Sequence, residues 1–303
     1  LQEANQLTGL FIEYGPTVQI RSAESRVWRD GKRRRSSYYE GPLAVMINRL
    51  SASASEIFAG AIQDYGRGIV VGEQSFGKGT VQSLVPLQEG QLKITESKFY
   101  RISGGSTQHR GVIPDIDYPS LFDPKEIGES ALDNALAWDQ IAPARFNRYH
   151  DYGAILPMLT TLHEKRAAND PDYLYLEDQV SIAQEARSII ALPLQESGRL
   201  ALRDNQESKA LAIENKRRVA KGLAPLESLG GGDEEGDASE ESDHAQELKA
   251  EQPTGEIADA DQDVTPDVLL VETGRILVDA ITLRPDTSLA GREPAGASVN
   301  NLQ

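Results

Sequence analysis

The sequence contains no cysteine among its 303 residues, which excludes disulfides, thiol nucleophiles and cysteine-bound metals. It also has no apolar run of about 18 residues, so no segment is predicted to span a membrane. None of its four histidines lies within the serine and lysine runs described below. The sequence therefore predicts neither a metal nor any other cofactor.

Negative charge is concentrated in the second part of the chain. Residues 1–120 carry 14 Lys and Arg against 12 Asp and Glu, while residues 121–303 carry 17 against 35. This acidity repels nucleic acid and anionic lipid. The basic run Lys32-Arg-Arg-Arg35 is too short to reverse the repulsion and is interpreted as a solvated hairpin tip.

The first part of the chain carries the patterns of an α/β domain. Apolar Leu43–Ile47 predicts a buried strand, Ala54–Tyr65 has helical spacing, and Ile69–Val71 predicts a second strand. Together these segments form a predicted β-α-β unit. An earlier strand is predicted at Thr17–Arg21, followed by a turn at Asp30-Gly31.

Beyond this unit, the pattern indicates a hairpin of two strands, Thr80–Leu87 and Gln91–Ile102, with a turn at Glu89-Gly90. A last short strand is predicted at Gly111–Ile116. The α/β part is therefore expected to end near residue 120.

From Phe122 onward the periodicity is helical. Residues 230–263 interrupt it with a low-complexity acidic stretch that is expected to be disordered. The predicted helices are Asp151–Ala168, Leu174–Ile190, Gln206–Lys221 and Val268–Ile281. The predicted units are an α/β domain at 1–120, a helical domain at 121–229, the acidic insert at 230–264, a final helix at 265–283 and a disordered tail at 284–303.

A serine at a predicted helix start is the first candidate for catalysis. Ser53 lies in Ser51-Ala-Ser-Ala-Ser-Glu-Ile-Phe58, where free N–H groups and the helix dipole can stabilise an oxyanion. The backbone N–H of Ser53 or of Ala54 is the candidate hydrogen-bond donor to that oxyanion. Ser53-x-x-Glu56 is also an ordinary capping-box pattern, and Ser51 and Ser55 are equally plausible nucleophiles on composition alone.

A serine nucleophile needs a base, and Lys78 follows 25 residues later in Ser75-Phe-Gly-Lys-Gly-Thr-Val-Gln82. Desolvation favours the neutral amine of a lysine, which can then act as a general base. The flanking glycines allow the backbone to pack closely around Lys78. No serine motif is paired with any of the histidines, which are His109, His150, His163 and His244.

Two further residues are candidates for a supporting role. If the chain is extended from Lys78 onward, Gln82 lies on the same face and its amide oxygen can orient the lysine nitrogen. Asp64 lies eleven helical residues beyond Ser53, about 16 Å away, which is too far for a catalytic triad. Asp64 is therefore assigned a supporting role near the end of the helix.

Two other functions stay open from the residues alone. Gly72-Glu-Gln-Ser-Phe-Gly77-Lys78 is close to a phosphate loop, but Gly79 replaces the magnesium-binding Ser or Thr, and a strand follows where a helix is needed. The second alternative is a non-catalytic protein-binding module, in which the acidic helical half recruits partners.

At these residues the sequence closely resembles the tail-specific, or carboxyl-terminal processing, serine–lysine proteases of bacteria. The resemblance covers nearly the whole chain except the acidic insert. The matching stretches are Gly41–Leu43, Ser51–Phe58, Gln63–Gly66, Val70–Glu73, Phe76–Gln82, Lys98–Arg101, Gly104–Gln108, Gly111–Asp115 and Asp133–Asp139.

The resemblance implies a serine endopeptidase in which Ser53 is the nucleophile and Lys78 the general base. It implies that Gln82 orients the lysine and that Asp64 is needed for function. The fold that it implies is a ClpP/crotonase-like protease-core fragment, with a β-α-β unit and hairpin strands, followed by an all-α C-terminal domain.

The resemblance further implies a periplasmic enzyme, associated with the inner membrane, whose partners are protein substrates with apolar C-terminal tails and an envelope lipoprotein adaptor. Members of the family carry a PDZ domain and the first half of the protease domain upstream. We therefore expect the present segment by itself to be inactive or unstable.

Overall fold

The computed structural model describes residues 1–229 and 267–283, which form a mixed α/β part followed by helices. Within these ranges the strands are β1 Gly15–Ser22, β2 Val27–Lys32, β3 Ala44–Ile47, β4 Ile69–Gly72, β5 Thr80–Pro86, β6 Gln91–Tyr100 and β7 Ile116–Asp117. The helices are α1 Gln2–Phe11, α2 Ala54–Asp64, α3 Leu156–Ala167, α4 Pro171–Arg187, α5 Glu196–Ala220 and α6 Val268–Leu283.

A parallel sheet of order β3-β4-β7 positions the candidate site. Val45 lies opposite Val70 in the β3–β4 pair, and helix α2 connects these two strands, as the sequence predicted. Because β3 and β4 are parallel neighbours, the loops that follow them leave the same edge of the sheet. The first of these loops leads to Ser53 and the second to Lys78.

The two faces of this sheet are covered by different helices, because successive side chains of a strand alternate between faces. Val70 packs with Ala59 of α2 in one buried cluster. Ile69 and Val71 pack in another cluster, which includes Ile276 of α6. The C-terminal helix therefore belongs to the core of the α/β part.

A second sheet is antiparallel, with the order β2-β1-β6-β5. Strands β5 and β6 form the predicted hairpin, in which Thr80 lies opposite Lys98 and Pro86 opposite Gln91. Strand β5 begins two residues after Lys78, so the hairpin projects directly from the candidate site.

The turn predicted at Asp30-Gly31 is wrong, because both residues lie inside β2 and pair with β1. A side-chain carbon on Gly31 would lie 2.4 Å from the carbonyl oxygen of Gly15. The glycine is therefore required by close approach of two strands, which sequence alone does not distinguish from a turn.

The interpretation of residues 32–35 as a solvated hairpin tip is also wrong for Lys32. Its ammonium donates hydrogen bonds to the carbonyl oxygens of Gly9 and of Ile12, the latter at 3.1 Å, at the end of α1. A cation at a helix C-terminus satisfies carbonyl groups that lack helical partners. The next three arginines are exposed.

Two further elements differ from expectation. Sequence patterns assigned no element to residues 2–11, which form α1. The strand predicted at Gly111–Ile116 is reduced to Ile116–Asp117. The reason is that the N–H of Val112 donates to the Ser75 hydroxyl at 2.7 Å, so this stretch follows the Lys78 loop before it joins the sheet.

Helices α3, α4, α5 and α6 correspond to the predicted helical part, with bounds shifted by several residues. The predicted acidic insert and C-terminal tail lie outside the described residues. Among the helices that the structure describes, none combines the length and the apolar character that crossing a membrane requires.

Candidate active site

Ser53 occupies the N-cap of α2 and has a strained backbone. Its φ is 56° and its ψ is −105°, a region that residues with a side chain rarely adopt. Strain of this kind is concentrated at functional sites, where the surrounding structure enforces it. The half-buried Ser53 is therefore held in a conformation that an ordinary helix cap does not need.

The fully buried carboxylate of Glu56 joins the start of α2 to the loop that carries Lys78. Its Oε2 accepts hydrogen bonds from the backbone N–H of Ser53 at 2.7 Å and of Lys78 at 2.9 Å. Its Oε1 accepts from the N–H of Gly77 and from the Ser75 hydroxyl, both at 2.6 Å. One side chain thus fixes the two candidate catalytic backbones relative to each other.

All four groups around Glu56 are donors, and an ionised carboxylate is the side chain that can accept from every one of them. Burial raises the pKa of Glu56, while the hydrogen bonds from Ser75, Gly77, Ser53 and Lys78 oppose that rise. Three of the four donors are backbone N–H groups, which cannot accept a hydrogen bond, so their bonds to the two oxygens favour the ionised carboxylate.

The loop around Lys78 is also held from its other side. The N–H of Phe76 donates to the carbonyl oxygen of Ser51 at 2.9 Å. The N–H of Gly79 donates to Oε1 of buried Gln108 at 2.9 Å. These bonds place the loop against the start of α2 and leave the Lys78 side chain half-buried. Among the described residues, the Lys78 ammonium has no carboxylate partner and no hydrogen-bond acceptor.

The glycines on either side of Lys78 are needed for this packing. A side-chain carbon on Gly79 would lie 2.3 Å from the backbone nitrogen of Gln108. Gly77 has a φ of 95°, and a side-chain carbon there would lie 2.9 Å from the backbone of His109. The sequence interpretation, that the glycines allow close packing, therefore has a specific structural cause.

The structure distinguishes between the two candidate oxyanion donors. The N–H of Ser53 is already bonded to Glu56. Ala54 is exposed at the first turn of α2, and within the described residues its N–H has no acceptor. A free N–H at a helix N-terminus can stabilise developing negative charge, so Ala54 is the donor that this geometry leaves available.

Gln82 lies away from the position expected for an orienting residue. It is exposed on β5, and its amide nitrogen donates to the Thr95 hydroxyl at 3.4 Å. Thr80 is buried although Gln82 is exposed, and the strand register shifts between Val81 and Gln82. Within the described residues, Gln82 makes no hydrogen bond to Lys78.

Asp64 lies at the other end of α2 and is buried. It pairs with Arg101 at 2.5 Å and accepts hydrogen bonds from the N–H and the hydroxyl of Ser103, at 3.2 and 3.0 Å. These contacts hold the segment after β6 against the helix. Asp64 thus supports the framework and does not contact Ser53.

The structure also bears on the alternatives that composition left open. The Ser51 side chain is bonded to Asn48 through both its hydroxyl proton and its oxygen, while Ser55 is exposed within the helix. In the phosphate-loop interpretation, the N–H groups of Gly77 and Lys78 would hold phosphate. They are bonded to Glu56 instead, and β5 follows where a helix is needed.

Sequence reasoning missed two residues that build this site. The spacing Ser53-x-x-Glu56 indicated a capping box, but no local signal indicated that Glu56 also binds the Lys78 loop. Buried Arg49 was not singled out. It donates to the carbonyl oxygens of Ser75 at 2.7 Å and Ile127 at 2.6 Å, which ties the lysine loop to the segment after β7.

The described residues contain no group of three or more His, Asp and Glu side chains arranged to hold a metal ion. The candidate site is therefore described by its serine, its lysine and the carboxylate between their backbones.

Two family models match the chain. Residues 1–118 match peptidase family S41. Residues 122–282 match the family described as the C-terminal domain of tail specific protease (DUF3340). The second match covers just over half of the chain.

Curated relatives carry related names. A tail-specific protease of Haemophilus influenzae is 42% identical over 241 residues, which are 76% of this chain and 35% of the relative. A carboxy-terminal-processing protease of Bartonella bacilliformis is 43% identical over 118 residues, which are 38% of this chain and 27% of the relative. The chain therefore spans about a third of the length of these relatives.

Among solved structures, the chain is similar to a photosystem II D1 C-terminal processing protease. The identity is 29%, with 41% of this chain and 31% of the other chain covered, and the TM-score is 0.35.

Proposed function

This chain belongs to the tail-specific protease family, and from that premise and the geometry around Ser53 we propose that it carries the catalytic serine and lysine of a serine endopeptidase. The observation that supports this most directly is the pair of hydrogen bonds from Ser53 and Lys78 to one oxygen of Glu56. Their side chains start from backbones fixed next to each other, as proton transfer between them requires.

In the proposed reaction, the neutral amine of Lys78 accepts the hydroxyl proton of Ser53 as the serine oxygen attacks a peptide carbonyl carbon. The peptide C–N bond then breaks, and the Lys78 ammonium gives its proton to the leaving amine. Water next attacks the acyl-enzyme ester while Lys78 accepts a proton from it. The ester bond breaks, the carboxyl product leaves, and the proton returns to the Ser53 oxygen.

The N–H of Ala54 is proposed as one donor to the oxyanion that forms in each half of this reaction. Its exposure and its lack of an acceptor among the described residues support this role. The helix dipole of α2 acts in the same direction.

Glu56 is proposed as a positioning residue, since it touches the backbones of Ser53 and Lys78 and not the reacting atoms. Asp64 is proposed to support the same helix at its far end through Arg101 and Ser103. Gln82 stays a proposed orienting residue, which requires its amide to exchange Thr95 for the lysine nitrogen when substrate is bound.

The class of substrate is proposed from the family. The names of the relatives, tail-specific and carboxy-terminal-processing, support protein substrates that are recognised or processed at their C-terminal ends. We propose in addition that these C-terminal tails are apolar. We further propose action in the bacterial periplasm, at or near the inner membrane, with an envelope lipoprotein as adaptor. For the α/β part we propose the ClpP/crotonase-like class, which the parallel β3-α2-β4 unit supports.

The deciding experiment treats the full-length protein with a fluorophosphonate, which modifies activated serines, and locates the labelled peptide by mass spectrometry. We expect labelling at Ser53 in the unmodified protein and none after Lys78→Ala. Labelling at Ser51 or Ser55, or equal labelling with and without Lys78, would contradict the assignment. Absence of labelling together with intact binding of apolar-tailed proteins would favour a non-catalytic binding module.

A further inference from the structure

A basic groove lies at the end of α2 that is remote from Ser53. One part of it, of about 470 Å³, is lined by the residues before β1 and by the segment 145–149. An adjoining part of about 430 Å³ is lined by the end of β2. The two parts share Tyr14, Gly15, Pro16 and Arg145, so they form one continuous depression.

The floor of this groove is firmly built. Buried Tyr65 donates its hydroxyl to the carbonyl oxygen of Pro16 at 2.8 Å. The N–H of Tyr149 donates to the carbonyl oxygen of Tyr65 at 2.8 Å, and the rings of Tyr65 and Phe146 are 5.4 Å apart. The two walls are thus bonded to one residue, and the arginines that they carry project from fixed backbones.

The walls of the groove are rich in unpaired positive charge. Arg33, Arg35, Arg145 and Arg148 line it, and none of them has a carboxylate partner among the described residues. Arg35 lies over the ring of Tyr14 at 5.7 Å. The acidic residues that line the groove are Glu13 and Asp30. This concentration is unusual in a chain whose net charge is −16.

The groove is separate from the candidate active site. Tyr65 directly follows the last residue of α2, whereas Ser53 directly precedes the first. A helix of 11 residues is about 16 Å long. A ligand in the groove would therefore leave Ser53 accessible.

We propose that this groove binds an acidic peptide, that is, a carboxylate-rich stretch of a separate protein. Guanidinium groups bind carboxylates through paired hydrogen bonds, and Tyr14 and Phe146 offer apolar surface to the intervening residues. Nucleic acid fits less well, because its phosphates would extend beyond the groove along a strongly acidic protein. The proposal does not depend on the peptidase assignment.

The chain itself contains an alternative occupant, which the test must exclude. The sequence of the chain itself contains Asp-Glu-Glu-Gly-Asp-Ala-Ser-Glu-Glu-Ser-Asp at residues 233–243, with seven acidic residues in eleven. A tethered ligand competes with a free one at high effective concentration, so occupation of the groove by this stretch can be told apart from binding of a separate protein.

The test measures binding of a fluorescein-labelled peptide with the sequence of residues 233–243 to the full-length protein by anisotropy, with Ser53→Ala present so that the probe is not cleaved. We expect R145Q/R148Q to weaken binding about tenfold, which is about 1.4 kcal/mol. The matched variant R26Q/R199Q, which removes two exposed arginines elsewhere, should change binding less than about twofold. Affinity should fall as salt is added.

Equal binding by R145Q/R148Q and R26Q/R199Q would overturn the proposal, as would equal or tighter binding of an oligothymidylate of the same length. The alternative occupant is tested with a protein in which the acidic residues of 233–243 are replaced by Asn and Gln. Tighter binding of the free peptide to that protein would overturn the proposal, because the chain's own acidic stretch would then compete for the groove. Unchanged binding assigns it to a separate polypeptide.

Discussion

Ser53 and Lys78 donate their backbone N–H groups to the same carboxylate oxygen of Glu56, at 2.7 and 2.9 Å. The distance between the two backbone nitrogens therefore cannot exceed the sum of these two hydrogen-bond lengths. This relationship joins the loop after β3 to the loop after β4. The positions of the candidate nucleophile and the candidate base therefore depend on the same side chain.

Replacing Glu56 by Gln tests this junction. An amide nitrogen would face two N–H or O–H donors that now point at a carboxylate oxygen, and each buried group left without a partner costs about 1–3 kcal/mol. We expect a lower free energy of unfolding in urea and at least about a 100-fold loss of peptide cleavage through misplacement of the serine and lysine. Glu89→Gln, in the exposed turn of the β5–β6 hairpin, is the matched control. Unchanged cleavage by E56Q would show that the junction is not needed.

Lys78→Ala and Lys78→Arg should both abolish cleavage in the full-length protein. A guanidinium keeps its charge but cannot accept a proton, and loss of a general base costs about 10²–10⁴ in rate. Cleavage is measured with a peptide that ends in an apolar tail, and folding is checked by circular dichroism. Lys93→Arg, on exposed β6, should retain full activity. If K78R kept more than a few per cent of the rate, lysine would not be the base.

The strained backbone of Ser53 predicts an unusual order of stabilities. At a φ of 56°, glycine avoids a steric cost of about 1–3 kcal/mol that alanine retains. Glycine also loses more conformational freedom on folding, by up to about 1 kcal/mol. We therefore expect Ser53→Gly to be about 1 kcal/mol more stable than Ser53→Ala in urea unfolding, with neither variant active. The opposite order would mean that the backbone at this position is not strained.

The pH dependence of stability should report on Glu272, which is buried between α6 and α3. Burial by itself would raise the pKa of Glu272, but hydrogen bonds from Arg166 and His163 outweigh that effect and hold the pKa below its usual range. A carboxyl group whose pKa is lower in the folded than in the unfolded state stabilises the folded protein at pH values above its unfolded pKa of about 4.3. This stabilisation is lost as the pH falls through the folded pKa.

Glu272→Gln should therefore lower the free energy of unfolding at neutral pH, by about 1–3 kcal/mol. Between about pH 6 and about pH 3, the free energy of unfolding should fall less for this variant than for the unmodified protein. Urea unfolding at a series of pH values measures both effects. Glu164→Gln, exposed on α3, is the control. Parallel pH profiles for E272Q and the unmodified protein would contradict this role.

Much of the fold could be predicted because its signals are local. The apolar runs of β3 and β4, the helical spacing of α2 and the turn of the β5–β6 hairpin all lie within short windows of sequence. The turn predicted at Asp30-Gly31 was wrong for the same reason. A glycine needed for close approach to Gly15 has the same local signature as a glycine in a turn.

The candidate site was predicted only in part. The motif and its resemblance pointed to Ser53 and Lys78, whose catalytic roles stay predictions. We expected Lys78 and Gln82 to lie on the same face because side chains alternate regularly along an extended strand. The strand register shifts just before Gln82, so this alternation is broken. The contacts of Asp64 with Arg101 and Ser103 join residues almost 40 positions apart, so they have no local signature.

By itself, the sequence determined which chemical groups are present and how each short segment folds, including the helix start at Ser53 and the glycines around Lys78. Only the tertiary structure decided that Glu56 binds both segments and that distant arginines line one groove. It also decided that the N–H of Ala54 has no acceptor within residues 1–229 and 267–283. The physical reason is that caps and periodicity act over a few residues. These other contacts depend on parallel pairing of β3 with β4 and on the packing of residues 143–149 against the end of α2.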